Sequence, residues 1–142
     1  MSTYLLAWTV NKYESAKSTS ARGVKFEAFY LKAYSHPCNY SYQSYESYES
    51  CVNGIGKNAS IMQHPADVGA KMLDHFEQKV FVGLNYNLPK MDIVAVERYA
   101  FGAMENWGMM VFRAKLFKTQ EYFYLDKIMA HELVTGHFII SS

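Results

Sequence analysis

From residue 23 to 30 apolar and polar positions alternate. Val24, Phe26 and Ala28 fall on one side and Lys25 and Glu27 on the other, so a strand is expected there. Residues 1–10, rich in β-branched and aromatic side chains, read as a second strand. Residues 11–22, with Ser15, Ser18, Thr19 and Ser20, read as a turn or loop. From Ala66 the period lengthens: Val68, Met72, Phe76 and Val80 recur every four residues, with Leu73 on the adjoining line. That pattern predicts a helix entered at Pro65, with His75 as a solvated surface residue, and stopped by residues 85–89. Residues 91–96 are nearly all apolar, as expected of a strand buried on both faces, and residues 109–112 read as another apolar strand. A last helix is expected with Thr119 as its cap and Gln120 and Glu121 in its first turn. Leu125, Ile128, Met129 and Leu133 would form its buried stripe and Gly136 its end. Residues 138–140 are left as an apolar tail.

Residues 35–64 break the pattern. Between 41 and 50 a serine-tyrosine-polar triplet repeats, with no apolar period a core could use. It reads as a surface insertion, since loops accept length at small entropic cost; the other reading is a tyrosine-rich interaction or modification segment.

Composition adds limits. At 142 residues, half of them hydrophobic and 16% aromatic, the chain is long enough for one domain with a core. The net charge of +1, from 14 basic and 13 acidic residues, gives no argument for a nucleic-acid or anionic-membrane partner. The apolar run at residues 4–10 is too short to span a bilayer, so no transmembrane segment is expected in this chain, nor a signal peptide. Cys38 and Cys51 allow one bridge or two free thiols. The compartment stays unassigned; the acceptor triplets at Asn39 and Asn58 lean weakly toward an extracellular or lumenal setting.

Two stretches carry chemistry. Gly102-Ala103-Met104-Glu105-Asn106-Trp107-Gly108 reads as a glycine-bounded loop between two strands, where the backbone can approach a ligand closely. Glu105 is either a hydrogen-bonded turn residue or a carboxylate that recognises an ammonium group. His131-Glu132 starts the H-E-x-x-H pattern, in which two imidazoles one turn apart bind zinc and the glutamate acts as general base. The second histidine position holds Thr135. His137 lies six residues on, about 120° around the helix from His131, and could reach it only if the helix broke at Gly136. By itself the His-Glu pair reads as structural or incidental.

Together these pieces resemble the zinc aminopeptidase family of aminopeptidase N and the puromycin-sensitive enzyme. The G-A-M-E-N-W-G stretch is reproduced without a change, and residues 1–7, 88–92 and 128–133, with Arg113, are similar in the right order. The resemblance implies that Gly102, Ala103, Met104, Glu105 and Asn106 line the substrate site. In it Glu105 holds the free amino group of a peptide, His131 is a zinc ligand and Glu132 is the general base. It implies an α+β chain: the end of a β-rich amino-terminal domain (residues 1–33), an insertion (34–65) and the first part of a thermolysin-like α/β catalytic domain (66–142). Ala114 stands where an acidic residue usually follows the arginine. The downstream zinc glutamate and the transition-state tyrosine have no counterpart. Residues 135–142 match nothing in the family and are expected to be a terminus created by a premature stop, a splice variant or a faulty gene model.

The expected function is therefore a zinc aminopeptidase acting on peptides with a free amino terminus, truncated and inactive alone. The alternative is a non-catalytic binding module that keeps the substrate stretch; a third outcome is a chain that does not fold stably.

Overall fold

The computed structural model describes residues 7, 9, 13–31, 58–118 and 122–138. Among them, five strands form one sheet: β1 (Tyr13–Thr19), β2 (Lys25–Leu31), β3 (Lys90–Val96), β4 (Ala103–Asn106) and β5 (Met109–Arg113). Their order across the sheet is β1-β2-β3-β5-β4. β3 runs parallel to both neighbours, β2 and β5, while β1 and β4 return antiparallel on the two outer edges. Helix α1 (Asn58–His75) lies in the connection from β2 to β3; α2 (Lys115–Lys118) and α3 (Tyr122–Phe138) follow β5. The chain is thus α+β. The ladder between β2 and β3 joins residues 25–29 to residues 90–94 in one sheet.

The alternation read from residue 23 holds. Val24, Phe26, Ala28 and Tyr30 are buried, and with Met91, Ile93, Ala95, Met110 and Phe112 they form the face that meets the helices. β3 is buried on both faces from Met91 to Ala95, as its continuous apolarity predicts. Residues 13–19, expected as a loop, are instead the edge strand β1, paired with β2 along its whole length. Its polar side chains suit an edge: Ser15 donates to Glu27 at 2.6 Å, Lys17 pairs with Glu27 at 3.2 Å, and Ala16 alone is buried. Of the expected strand at residues 1–10, Ala7 and Thr9 are described and neither lies in a strand; the rest falls outside the described residues, as do Cys38, Cys51 and the repeat at 41–50. The caps expected at 119–121 fall there too.

Helix α1 begins at Asn58, well before the expected entry, so Pro65 sits inside it. The missing N–H of Pro65 leaves one turn of the ladder unclosed, which is why a start is the ordinary reading of such a proline. Packing outweighs that loss, because Met62, Pro65 and Ala66 are all buried. The buried stripe is also rotated from the expected one. It runs through Met62, Ala66, Gly69, Ala70, Leu73 and Glu77, while Val68, Met72 and Phe76 flank it and Val80 is half exposed. Small residues add little to an apolar period, yet here they let the helix lie close on the sheet. A Cβ on Gly69 would stand 2.8 Å from the Phe26 ring. Replacing Gly69 by valine is therefore expected to destabilise the fold by about 1–3 kcal/mol through overpacking. A urea midpoint equal to wild type would mean that Phe26 yields freely.

After His75 the helix widens into a π-helical turn, Phe76–Val80, closed by the Phe81 N–H donating to the Phe76 carbonyl at 2.7 Å. Helices α1 and α3 are tied by His64, whose Nε2 lies 2.8 Å from Asp126 Oδ1 and whose ring stacks on Tyr122. His75 is exposed, as expected. Among the described residues no helix is long and apolar enough to cross a membrane.

Candidate active site

The stretch expected as a loop is mostly strand. Ala103–Asn106 forms β4, hydrogen-bonded to β5 and outermost in the sheet among the described residues. Trp107 and Gly108 make the two-residue turn between them, with Asn106 opposite Met109. Gly108 adopts φ +79, the left-handed region such a turn requires. Two glycines and a short polar run resemble a loop in sequence, but β5 supplies a ladder that such a run accepts.

Strand alternation divides the five expected substrate residues. Ala103 and Glu105 lie opposite Phe112 and Met110, on the face that meets the helices. Met104 and Asn106 belong to the other face, and Gly102 is exposed just before the strand. The other face also bears a shallow hollow of about 250 Å³ lined by residues including Leu88, Asp92, Trp107 and Met109. Glu105 does not point that way.

Helix α3 brings the second half of the site. Leu125, Met129 and Leu133 are fully buried and Ile128 partly so, as its expected stripe requires. The helix continues through Gly136 to Phe138 instead of ending there. Gly136 matters for a different reason. A Cβ on it would lie 3.1 Å from Glu105 Cβ, so its lack of a side chain lets α3 approach β4. Glu132, one turn earlier on the same helix face, is buried to 7% exposure and hydrogen-bonded to the Glu105 carboxyl. Burial first, then that bond and the Glu105 charge, push the Glu132 carboxyl up to about 7; the Glu105 backbone N–H, which donates to it, opposes the rise. Tyr99 completes the group. Burial raises its phenol above the ordinary range, and the charges of Glu132 and Glu105 raise it further.

The expected zinc donors do not assemble. His131 is exposed on α3, and Glu132 turns to Glu105. Thr135 Oγ1 donates to the backbone carbonyl of His131 at 2.9 Å and approaches that of Glu132 at 3.3 Å. The unbroken helix removes the condition under which His137 could reach His131. Among the described residues no three histidine, cysteine or acidic side chains are grouped to hold a metal ion, so the donors present do not fit the implied zinc site.

Sequence reasoning brought forward Glu105 and Glu132 but not their contact, and it missed Tyr99. Nothing in the pattern around Tyr99 singles it out. Gly136 could have been found, because it follows Glu132 by one helical turn and so shares its face.

Peptidase family M1 domain matches residues 64–138, a span that includes α3, β4 and most of α1. The chain is 32% identical to endoplasmic reticulum aminopeptidase 2 of Bos taurus and 31% identical to aminopeptidase A of Gloydius brevicauda, each over 97% of its length. Aminopeptidase M1 of Arabidopsis thaliana is 30% identical over the same share. The chain spans only 12–14% of the length of these relatives. With the family domain matched over more than half of its residues, the chain belongs to peptidase family M1, a family of metalloproteases.

Proposed function

We propose that the chain carries the substrate-binding part of an aminopeptidase, an enzyme that releases residues from the free amino terminus of peptides, without completing its zinc site, and that Glu105 is the group that holds the substrate ammonium. The observation that carries this reading is the placement of Glu105. Among the described residues it sits on the outer strand of the sheet, against the helix that bears His131 and Glu132. Two facing carboxyls, one of them raised by burial and by the charge of the other, form a site ready for a cation, because an ammonium relieves their repulsion. In this reading His131 would be a zinc ligand and Glu132 the general base, and residues 66–142 part of a thermolysin-like catalytic domain. Relatives named as aminopeptidases support the reaction class.

Thr135 sets the limit on these 142 residues. A threonine whose hydroxyl is turned onto the helix backbone is no substitute for an imidazole. After dialysis against zinc the chain is expected to retain well under one equivalent of metal and to leave an amino-acid anilide uncleaved. Stoichiometric zinc together with turnover would overturn that expectation.

The ammonium site is tested separately, by NMR titration with L-alaninamide and with its N-acetyl derivative. Only the free amine is expected to shift the Glu105 and Asn106 amides, and Glu105→Gln should weaken its binding about tenfold, the loss of one charge-assisted hydrogen bond. Equal binding of both probes would remove the basis for the reading.

A further inference from the structure

Residues 97–102 join β3 to β4 without a helix or strand of their own. This connection carries Tyr99 to the Glu105–Glu132 pair and delivers the chain into β4. One residue holds three of its carbonyls. Arg113 Nε donates to the Tyr99 carbonyl at 2.9 Å, and a terminal guanidinium nitrogen donates to the Ala100 carbonyl at 2.7 Å. The Arg113 backbone N–H donates to the Gly102 carbonyl, also at 2.9 Å. Arg113 ends β5 opposite Val96, the last residue of β3, so its guanidinium stands where the connection leaves the sheet.

We propose that Arg113 is a positioning residue of the candidate site, fixing the 97–102 connection, and with it Tyr99 and the start of β4, against Glu105 and Glu132. The proposal rests on the ammonium-binding reading of Glu105. β4 is only four residues long and among the described residues pairs with one strand, so the connection that leads into it helps set where it begins. A planar guanidinium can serve two neighbouring carbonyls in one fixed geometry, which a single ammonium cannot do. The Tyr99 ring meets the Phe101 ring edge to face at a centroid distance of 6.0 Å, so the held backbone also sets the side chains beside the carboxyls. Arg113 touches neither carboxyl in this arrangement; it acts through the backbone it holds.

The test compares Arg113→Met and Arg113→Lys with Lys115→Met, a neighbouring exposed charge, in the full chain. Two readouts are taken: L-alaninamide affinity, and the ionisation of Tyr99 followed by tyrosine 13Cζ NMR. Arg113→Met is expected to weaken alaninamide about tenfold, in keeping with lost hydrogen bonds to a charged group. It should also return the Tyr99 ionisation toward the ordinary tyrosine range. Arg113→Lys should recover part of both, and Lys115→Met should match wild type. If wild type binds the amine and Arg113→Met binds it equally well, the proposal is overturned while the function stands. If wild type binds no amine, the function falls, and the Tyr99 ionisation alone decides: a value unmoved by Arg113→Met overturns the positioning role. Failure of both Arg113 variants to fold would make the residue a determinant of folding and overturn the proposal as well.

Discussion

Replacing Arg22 with alanine is expected to destabilise the folded chain by about 2–4 kcal/mol, although the residue lies on a turn and its side chain is 42% exposed. The loss arises at the other end of the contact. Glu77 sits in the π-helical turn with its side chain 5% exposed, and Arg22 clasps it through Nε at 2.7 Å and a terminal nitrogen at 2.8 Å. The same terminal nitrogen donates to the Tyr86 carbonyl at 2.9 Å, and the Tyr86 N–H donates back to Glu77 at 2.8 Å. Arg22→Ala therefore removes the charged partner of a buried carboxylate and a hydrogen bond to a backbone carbonyl together. Half-exposure of the guanidinium screens its own Coulomb gain, which places the expectation below that for a fully buried pair.

The neighbourhood raises the stakes of that contact. Asp74 accepts from the Ala21 N–H through both oxygens, at 2.9 and 3.0 Å, so the β1–β2 turn is fastened to the end of α1 at two points. Changing Glu77 to glutamine keeps an acceptor for Tyr86 and removes the buried charge, so it should cost less than Arg22→Ala. Adding Arg22→Ala to Glu77→Gln should then cost less than Arg22→Ala does in the wild type. Urea unfolding of the four proteins at one pH measures the coupling. A loss below about 1 kcal/mol for Arg22→Ala would place the pair among ordinary surface ion pairs.

What could be read from the sequence follows from which forces leave a periodic trace. β2, β3, β5 and the stripe of α3 were legible because each buries large apolar side chains at a regular spacing. β1 was not, since an edge strand with one face toward solvent needs only Ala16 inside, and its polar serines, threonine and lysine look like a loop. The true stripe of α1 was hidden for a related reason. It depends on Ala66, Gly69 and Ala70, which are buried but small; at Gly69 the gain is close approach to Phe26 and Ile93. At the candidate site the G-A-M-E-N-W-G motif announced itself, yet its conformation was misread, because β4 owes its form to a partner strand. The Glu105–Glu132 contact had no local signature at all. It joins residues 27 positions apart through the space that Gly136 leaves open.

Glu132→Gln is expected to raise the stability of the chain at pH 8 by about 3 kcal/mol and to leave it nearly unchanged at pH 4. The sign follows from the direction of the shift. Glu132 is raised from 4.5 to about 7 in the folded chain, so folding favours its protonated form. The stability tied to that proton is complete below about pH 4.5, where folded and unfolded chains both carry it, and is lost as pH rises through 7. Above that range the folded chain must hold a second negative charge in a nearly closed space beside Glu105, and a neutral amide of the same shape removes the conflict. Glu105→Gln should recover less, because burial, the largest cause of the shift, stays with Glu132. Saturating L-alaninamide should act in the opposite direction from deprotonation, placing a positive charge between the two carboxyls and flattening the loss of stability between about pH 4.5 and pH 7 in wild type but not in Glu105→Gln. Unfolding curves from pH 4 to pH 8 check all three. Identical stability of wild type and Glu132→Gln at pH 8 would mean that the carboxyls move apart when both ionise, and that the pair exerts no hold on the fold.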